Sequence, residues 1–193
     1  MLAVAMGFGR FAYTPLLVVM QRDAGLTVAF AGVLASINLS GYLCGALVAM
    51  HGAVRSRRHR VLNAAAIAVV ISTAMMALPP QWWAVARFST GVASGVVFVL
   101  VVSLLLDRSS RTASIGGIAW LFSGVGSGIA AAGVFVPVIA SIGGSRVTWL
   151  ATAFVCLVAL LVALPHLGDE PLAPVQLPVR SESPKSSAFS WLS

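Results

Sequence analysis

Charged residues are scarce in this sequence. Asp, Glu, Lys and Arg together make up 9% of its 193 residues, and five of them are acidic, whereas an average soluble domain is about 25% charged. Hydrophobic residues take their place at 59% of the chain, with a mean hydropathy of +0.99. This composition excludes an ordinary soluble domain and predicts an integral membrane protein.

Cysteine and histidine are also sparse. The two cysteines, Cys44 and Cys156, lie in separate apolar runs, so we expect packing residues there rather than a disulfide or metal ligands. His51 and His166 lie at the ends of apolar runs, and no histidine lies in the middle of one. Intramembrane proteases and metalloenzymes need such groups. We therefore expect no enzymatic activity, no metal site and no cofactor.

Six apolar runs divide the chain, each long enough to cross a lipid bilayer as a helix, which takes about 20 residues. They cover residues 2–20, 27–50, 61–78, 83–106, 115–140 and 147–164, and we number them spans 1 to 6. The runs lack the alternation of barrel strands, and lipid admits only helices or closed barrels. The sequence thus predicts an all-α membrane protein with a bundle of six transmembrane helices in residues 1–166.

The ends of the chain support two further predictions. Residues 167–193 are rich in Pro, Ser and acidic side chains, which predicts a disordered cytoplasmic tail. A cleaved signal peptide is not predicted, because no basic stretch precedes span 1 and Arg10 divides its apolar core. We expect span 1 to be retained as a membrane helix.

Basic residues predict the orientation in the membrane. Eight of them fall in the connections after spans 2 and 4 and in the tail: Arg55, Arg57, Arg58, Arg60, Arg108, Arg111, Arg180 and Lys185. Two, Arg22 and Arg146, fall on the opposite side. By the positive-inside rule both termini are cytoplasmic, in the plasma membrane (the inner membrane of a bacterium). This distribution also accounts for the net charge of +7 without a nucleic-acid partner.

Arg10 is the unusual residue of span 1, because it lies near the middle of the apolar run. A charged side chain at that depth costs about 2.5 to 3.5 kcal/mol and marks a functional site by default. All five acidic residues lie in loops, at helix ends or in the tail. Arg10 must therefore find its partner elsewhere, in an anionic substrate or in an acid outside this chain. Tyr13 and Thr14 are expected on the same helical face and complete this part of the candidate substrate pathway.

Three other spans carry polar residues on an apolar helix. On span 4 they form one stripe, namely Arg87, Thr90, Gly91, Ser94 and Phe98. Span 5 carries Trp120 and Ser123, and span 2 carries Asn38 and Tyr42. We take Arg87, Ser94, Trp120, Ser123 and Asn38 as further pathway candidates. Two alternatives stay open: Arg87 extends to the outer interface near Trp83, and the other residues form interhelical hydrogen bonds.

Glycines recur at four-residue spacing on three spans. The pairs are Gly41 and Gly45, Gly91 and Gly95, and Gly124 and Gly128. In membranes this spacing lets helix backbones approach closely. We expect these glycines at helix–helix contacts.

The run Gly7-Phe8-Gly9-Arg10-Phe11-Ala12-Tyr13-Thr14-Pro15 resembles the first helix of the YbfB/YjiJ-like branch of the major facilitator superfamily. Arg87, followed by Gly91 and Gly95, is similar to the Arg-x-x-x-Gly signature of that superfamily. The loop after span 2 matches its Gly-x-x-x-Asp-Arg-x-Gly-Arg-Arg pattern at Gly52, Arg57 and Arg60. It departs from the pattern at Ser56 and His59.

The resemblance implies further roles. Gly52, Arg57, Arg60 and Asp107 become candidates for a conformational latch, in which Asp107 pairs with Arg57. The antiporter pattern of span 5 fits at Gly124, Gly128 and Gly133 but not at Ile129 or Ala132. Proton antiport is therefore not indicated.

The resemblance implies a secondary-active transporter of a small solute, with spans 1 and 4 lining the cavity. Its members have twelve helices, so the six spans are similar to the N-terminal half. The expected partners are the lipid bilayer, a small-molecule substrate, for which an anion is one candidate, and a C-terminal half or a second copy. The alternative is a self-associating six-helix membrane protein without transport activity, which would use the glycine pairs.

Overall fold

The computed structural model describes residues 3–112 and 116–163, and within them all side chains except those of residues 3–6, 105, 107–112 and 116–121. The regular structure of these residues is entirely helical. The predicted all-α class is therefore confirmed for the described part of the chain. The predicted tail at 167–193 lies outside it.

The first helix has two parts. A π-helix covers Ala3–Phe11, and α1 covers Tyr13–Ala24. Pro15 lacks the N–H that would bond to the carbonyl of Phe11, so a regular α-helical ladder cannot pass this point. The helix ends at Gly25, whose φ of 64° is left-handed. Span 1 was expected to end at residue 20, and the helix continues for another turn.

The middle of the chain contains four helices. They are α2 (Val28–Ala49), the short α3 (Gly52–Ser56), α4 (Arg58–Met75) and α5 (Trp83–Thr112). Thr27 caps α2 by accepting a hydrogen bond from the N–H of Phe30 at 3.2 Å. A 3₁₀ turn at Pro80–Trp82 precedes α5.

The last helix, α6, runs from Gly116 to Ala163 and is interrupted at Gly144, where φ is 68° and ψ is −169°. Spans 5 and 6 both fall on it. A connection was expected between residues 140 and 147; the break at Gly144 lies within this stretch, which is otherwise helical. A positive φ costs glycine nothing, so the chain needs one residue rather than a loop for this break.

Glycine contacts hold α2 and α5 together. A Cβ atom added at Gly41 or Gly45 would lie within 3.0 Å of the backbone of α5, and one added at Gly91 or Gly95 within 3.0 Å of the backbone of α2. The contacts advance in the same direction on both helices, so α2 and α5 run parallel. The expected packing role is confirmed for these four glycines.

The third glycine pair behaves differently. A Cβ atom added at Gly7 would lie 2.6 Å from the backbone of Gly128, so Gly128 joins α6 to the first helix. Gly124 has no atom within 4 Å of an added Cβ. The close helix contact expected at Gly124 is therefore not found among the described residues.

Three helical stretches of the described residues are long and apolar enough to cross a membrane: Val28–Ala49, Pro80–Leu104 and Phe122–Ala163. The six predicted spans are therefore not established. The first helix is divided at Ala12, and α4 begins with Arg58, His59 and Arg60, which lower its mean hydropathy. The third stretch contains spans 5 and 6 together.

Candidate functional site

Arg10 stacks on Tyr42, which lies on α2. The guanidinium carbon of Arg10 is 4.3 Å from the centre of the Tyr42 ring and 5.9 Å from that of Phe11. Phe98 on α5 lies next to Tyr42, with its ring centre 6.3 Å from that of Tyr42. The charge of Arg10 is thus half-buried among aromatic rings.

Arg87 stacks on the other tyrosine. Its guanidinium carbon is 4.2 Å from the centre of the Tyr13 ring, and the residue is 3% exposed. The Nε atom of Arg87 is buried and has no hydrogen-bond partner among the described residues. Arg87 therefore lies inside the bundle, and the alternative in which it extends to the outer interface is wrong.

Two hydrogen bonds hold these pairs between the first helix, α2 and α5. The Tyr13 hydroxyl donates to the carbonyl of Ala31 on α2 at 3.1 Å. Asn38, also on α2, donates from Nδ2 to the carbonyl of Arg87 at 2.8 Å. Tyr42 lies one helical turn after Asn38 on α2, and Arg10 lies three residues before Tyr13 on the first helix. The two arginine–tyrosine pairs thus form one cluster, which we call the arginine cluster (Arg10, Tyr13, Asn38, Tyr42 and Arg87).

The energetics of this cluster favour an anion. An arginine in the middle of a membrane span costs about 2.5 to 3.5 kcal/mol, and a desolvated cation–π contact returns about 2 kcal/mol. Stacking therefore offsets much of the cost but not all of it. Among the described side chains Asp23 is the one carboxylate, and its partners are Arg22 and Ser145. No described acid of this chain neutralises the arginine cluster.

The rest of the polar stripe on α5 serves packing. The Thr90 Oγ1 atom lies 2.8 Å from the Ser72 hydroxyl on α4 and 2.8 Å from the carbonyl of Ala86 in its own helix, and its single proton can be donated to either. Ser94 is fully buried and bonds to the carbonyl of Gly91 at 3.0 Å. The contact of Thr90 with Ser72 joins α5 to α4, as the alternative of interhelical hydrogen bonds predicts, whereas Ser94 bonds within its own helix.

Other pathway candidates lie away from the cluster or outside the description. Thr14 is exposed while Tyr13 is buried, so they do not share one face as expected, because consecutive residues of an α-helix project about 100° apart. Ser123 on α6 is exposed. The side chain of Trp120 lies outside the described residues.

The latch candidates lie at one end of the bundle. Gly52, Arg57 and Arg60 are exposed in and around α3 and the start of α4. The side chain of Asp107 lies outside the described residues. The pairing of Asp107 with Arg57 remains a prediction.

A second polar feature joins the end of α1 to the break in α6. Asp23 accepts a hydrogen bond from the N–H of Ser145 at 2.8 Å and one from Arg22 Nε at 3.0 Å. The bond from Arg22, and then that from Ser145, lowers the pKa of Asp23. A cavity of about 360 Å³ opens beside this contact, lined among others by Trp83, Trp149 and Gly144.

Sequence reasoning noted Tyr42 as a polar residue but did not place it in the substrate pathway. A signal was present, since the chain contains two tyrosines in all and both lie in apolar spans. Ser72, the partner of Thr90, was missed as well. A single serine in an apolar run gives no sign of which helix it faces.

Comparison with known proteins supplies the family. No curated protein matches the chain. A family model described as "Uncharacterised MFS-type transporter YbfB" matches residues 2–192, which includes the first-helix motif, both membrane arginines and the region after residue 166. The chain is therefore a membrane protein that belongs to the YbfB-like family of major facilitator superfamily transporters.

Proposed function

We propose that this protein is a secondary-active transporter of a small solute and that the arginine cluster lines its substrate pathway. The observation that carries the proposal is the pair of arginines held on tyrosines where the first helix, α2 and α5 meet. Transporters bind substrate near the bilayer midplane, where ionisable side chains are costly and mark the pathway. The proposal includes no enzymatic activity, metal or cofactor.

The proposed topology has six transmembrane helices and two cytoplasmic termini. The first helix (residues 3–24), α2, α4, α5 and the two parts of α6 supply the six crossings. The distribution of basic residues, eight on one side and two on the other, supports this orientation in the plasma membrane. Reporter fusions after residues 25, 56, 79, 112 and 144 test it, and the reporters should alternate between outside and inside, starting outside.

We further propose that the six helices act as one half of a transporter, completed by another six-helix half or a second copy. Access would alternate as one half rocks against the other, and the candidate latch of Gly52, Arg57, Arg60 and Asp107 would act at the cytoplasmic side. A C-terminal half would also fit the twelve helices of the superfamily. Residues 167–193 would then lie outside the six-helix bundle.

The alternative of a self-associating protein without transport activity has less support. It depended on glycine pairs that were free to meet another chain. Gly41, Gly45, Gly91 and Gly95 are instead used within the chain, between α2 and α5. Membership of a transporter family also favours transport.

Uptake into membrane vesicles tests the proposal, because vesicles from the source cells retain any second half. Vesicles from cells with the gene deleted are compared with those from cells that carry it, and the small molecules gained are identified by mass spectrometry. At least one solute should accumulate in a gene-dependent way and be lost on collapse of the ion gradients. Arg10→Gln should abolish the uptake, whereas Gly32→Ala should preserve it, since Gly32 has no atom within 4 Å of an added Cβ. An identical set of accumulated solutes in vesicles with and without the gene would reject the proposal.

A further inference from the structure

We infer that the ligand of the arginine cluster is a small organic carboxylate whose negative group binds Arg10. This inference rests on the proposed transport function, and it specifies the substrate class. Three features of the cluster support it: its charge, the difference in burial between its arginines, and the nature of the surrounding side chains.

The charge of the cluster requires an anion from outside the described chain. Arg10 and Arg87 both contact aromatic rings, and the described carboxylate, Asp23, is bound at the far end of α1 by Arg22 and Ser145. Tyrosine rings attract a cation through their quadrupole but carry no compensating charge. A bound anion is a partner that would neutralise the positive charge of the cluster.

The two arginines differ in what they can touch. Arg87 is 3% exposed and lies against Tyr13, so it attracts an anion without contacting it. Arg10 is half-buried and remains accessible. Arginine binds a carboxylate through N–H groups in its own plane, whereas a ring is contacted through the face. Arg10 can therefore keep its contact with Tyr42 while it binds a carboxylate.

A single accessible guanidinium favours a singly charged group. A phosphate dianion needs several donors to replace its hydration, and among the described side chains around Arg10 aromatic rings prevail. Phe11 and Tyr42 lie against it, and Phe98 lies beside Tyr42. Such walls suit an apolar ligand body, since apolar area is favourable to bury. The ligand class is thus a small monocarboxylate with an apolar body.

Ligand binding to the purified full chain tests this directly. The protein is placed in phosphatidylcholine nanodiscs, whose zwitterionic lipid offers no competing anionic headgroup, and its thermal unfolding is followed by tryptophan fluorescence. The probes are butyrate, lactate and cyclohexanecarboxylate, each paired with its primary amide, which has nearly the same shape and no charge. At least one carboxylate should raise the melting temperature in a concentration-dependent way, and its amide should not.

Variants locate the site. Arg10→Gln should weaken the binding of that carboxylate by about 10-fold or more, whereas Arg22→Gln, an exposed arginine at the end of α1, should bind as the wild type does. If Arg10→Gln does not fold, Arg10→Lys is used instead, because lysine keeps the positive charge but lacks the paired N–H donors of the guanidinium. An Arg10→Lys variant that binds the carboxylate with the affinity of the wild type would then overturn the inference. So would a panel in which no carboxylate acts, or in which Arg10→Gln binds unchanged.

The binding and uptake experiments can fail separately. Carboxylate binding that depends on Arg10, without any gene-dependent uptake in vesicles, would support this ligand class and reject transport. Gene-dependent uptake of a neutral or cationic solute that Arg10→Gln leaves intact would support transport and reject this ligand class.

Discussion

The guanidinium carbon of Arg87 lies 4.2 Å from the centre of the Tyr13 ring, and Tyr13 also donates a hydrogen bond to Ala31 at 3.1 Å. One side chain of the first helix thus contacts α5 through its ring and α2 through its hydroxyl. Because Arg87 is 3% exposed, its guanidinium has lost most of its hydration. The electrostatic attraction of the Tyr13 ring replaces part of that stabilisation. Tyr13 is the link between the buried charge and the packing of three helices.

Substitution of Tyr13 should separate these two contributions. Tyr13→Phe keeps the ring and loses the hydrogen bond, so it should lower the free energy of unfolding by about 1 kcal/mol. Tyr13→Leu also removes the ring beneath Arg87 and should cost about 2 kcal/mol more. Thermal unfolding of both variants in one detergent measures the difference. Equal effects of the two substitutions would show that the ring does not stabilise Arg87.

The arginine cluster shows where sequence reasoning succeeds and where it stops. Arg10, Tyr13, Asn38 and Arg87 could be selected from the sequence because a polar or charged residue in an apolar span is costly and so conspicuous. The pairing of each arginine with a particular tyrosine could not be predicted from the sequence. Which ring covers which arginine depends on how three helices pack, and no local pattern of span 1 or span 4 contains that information.

The glycine contacts predict a sharp contrast along α2. Gly45→Ala would bring a Cβ within 3.0 Å of the Val92 backbone, so the helices must separate, and we expect a loss of about 1 to 3 kcal/mol of stability. Gly32→Ala on the same helix meets no atom within 4 Å. It should be neutral or stabilise by up to about 1 kcal/mol, because alanine favours the helix. Melting temperatures that fall equally for both variants would contradict the parallel α2–α5 contact.

Helix boundaries were predictable to the extent that local signals mark them. Thr27 and Trp83 begin α2 and α5 close to the predicted positions, since a capping threonine and a preceding Pro-Pro turn are readable in the sequence. The π-helix at Ala3–Phe11 was not predicted. Neither was the single-residue break at Gly144, because Gly143-Gly144-Ser145 equally suits a longer loop.

Gly144 and Gly25 form a matched pair for testing that break. Both have a positive φ, of 68° and 64°. Gly25 is in the left-handed α region, which costs an alanine about 1 to 2 kcal/mol, whereas Gly144, with ψ of −169°, is in a region that essentially glycine alone adopts. Gly25→Ala adds no contact, whereas a Cβ at Gly144 would lie 2.8 Å from the Asp23 carboxylate. Gly144→Ala should therefore lower the melting temperature more than Gly25→Ala. The reverse order would mean that the Asp23 contact does not hold the end of α1 at this position.

Asp23 gives this contact a pH dependence with a defined sign. Its hydrogen bonds with Arg22 and then with the Ser145 N–H lower its pKa below the ordinary value of 3.8. The folded protein thus binds the proton less tightly than the unfolded chain, so the stabilisation is fully present above pH 3.8 and is lost as pH falls through the lowered pKa.

Melting temperatures measured in detergent from pH 6 to pH 3 should show this loss in the wild type. Asp23→Asn should remove this component, and Arg22→Gln should reduce it, because the bond from Arg22 is the largest cause of the shift. A wild type and an Asp23→Asn variant with parallel curves across this range would show that the Asp23 carboxylate does not stabilise the junction between α1 and α6.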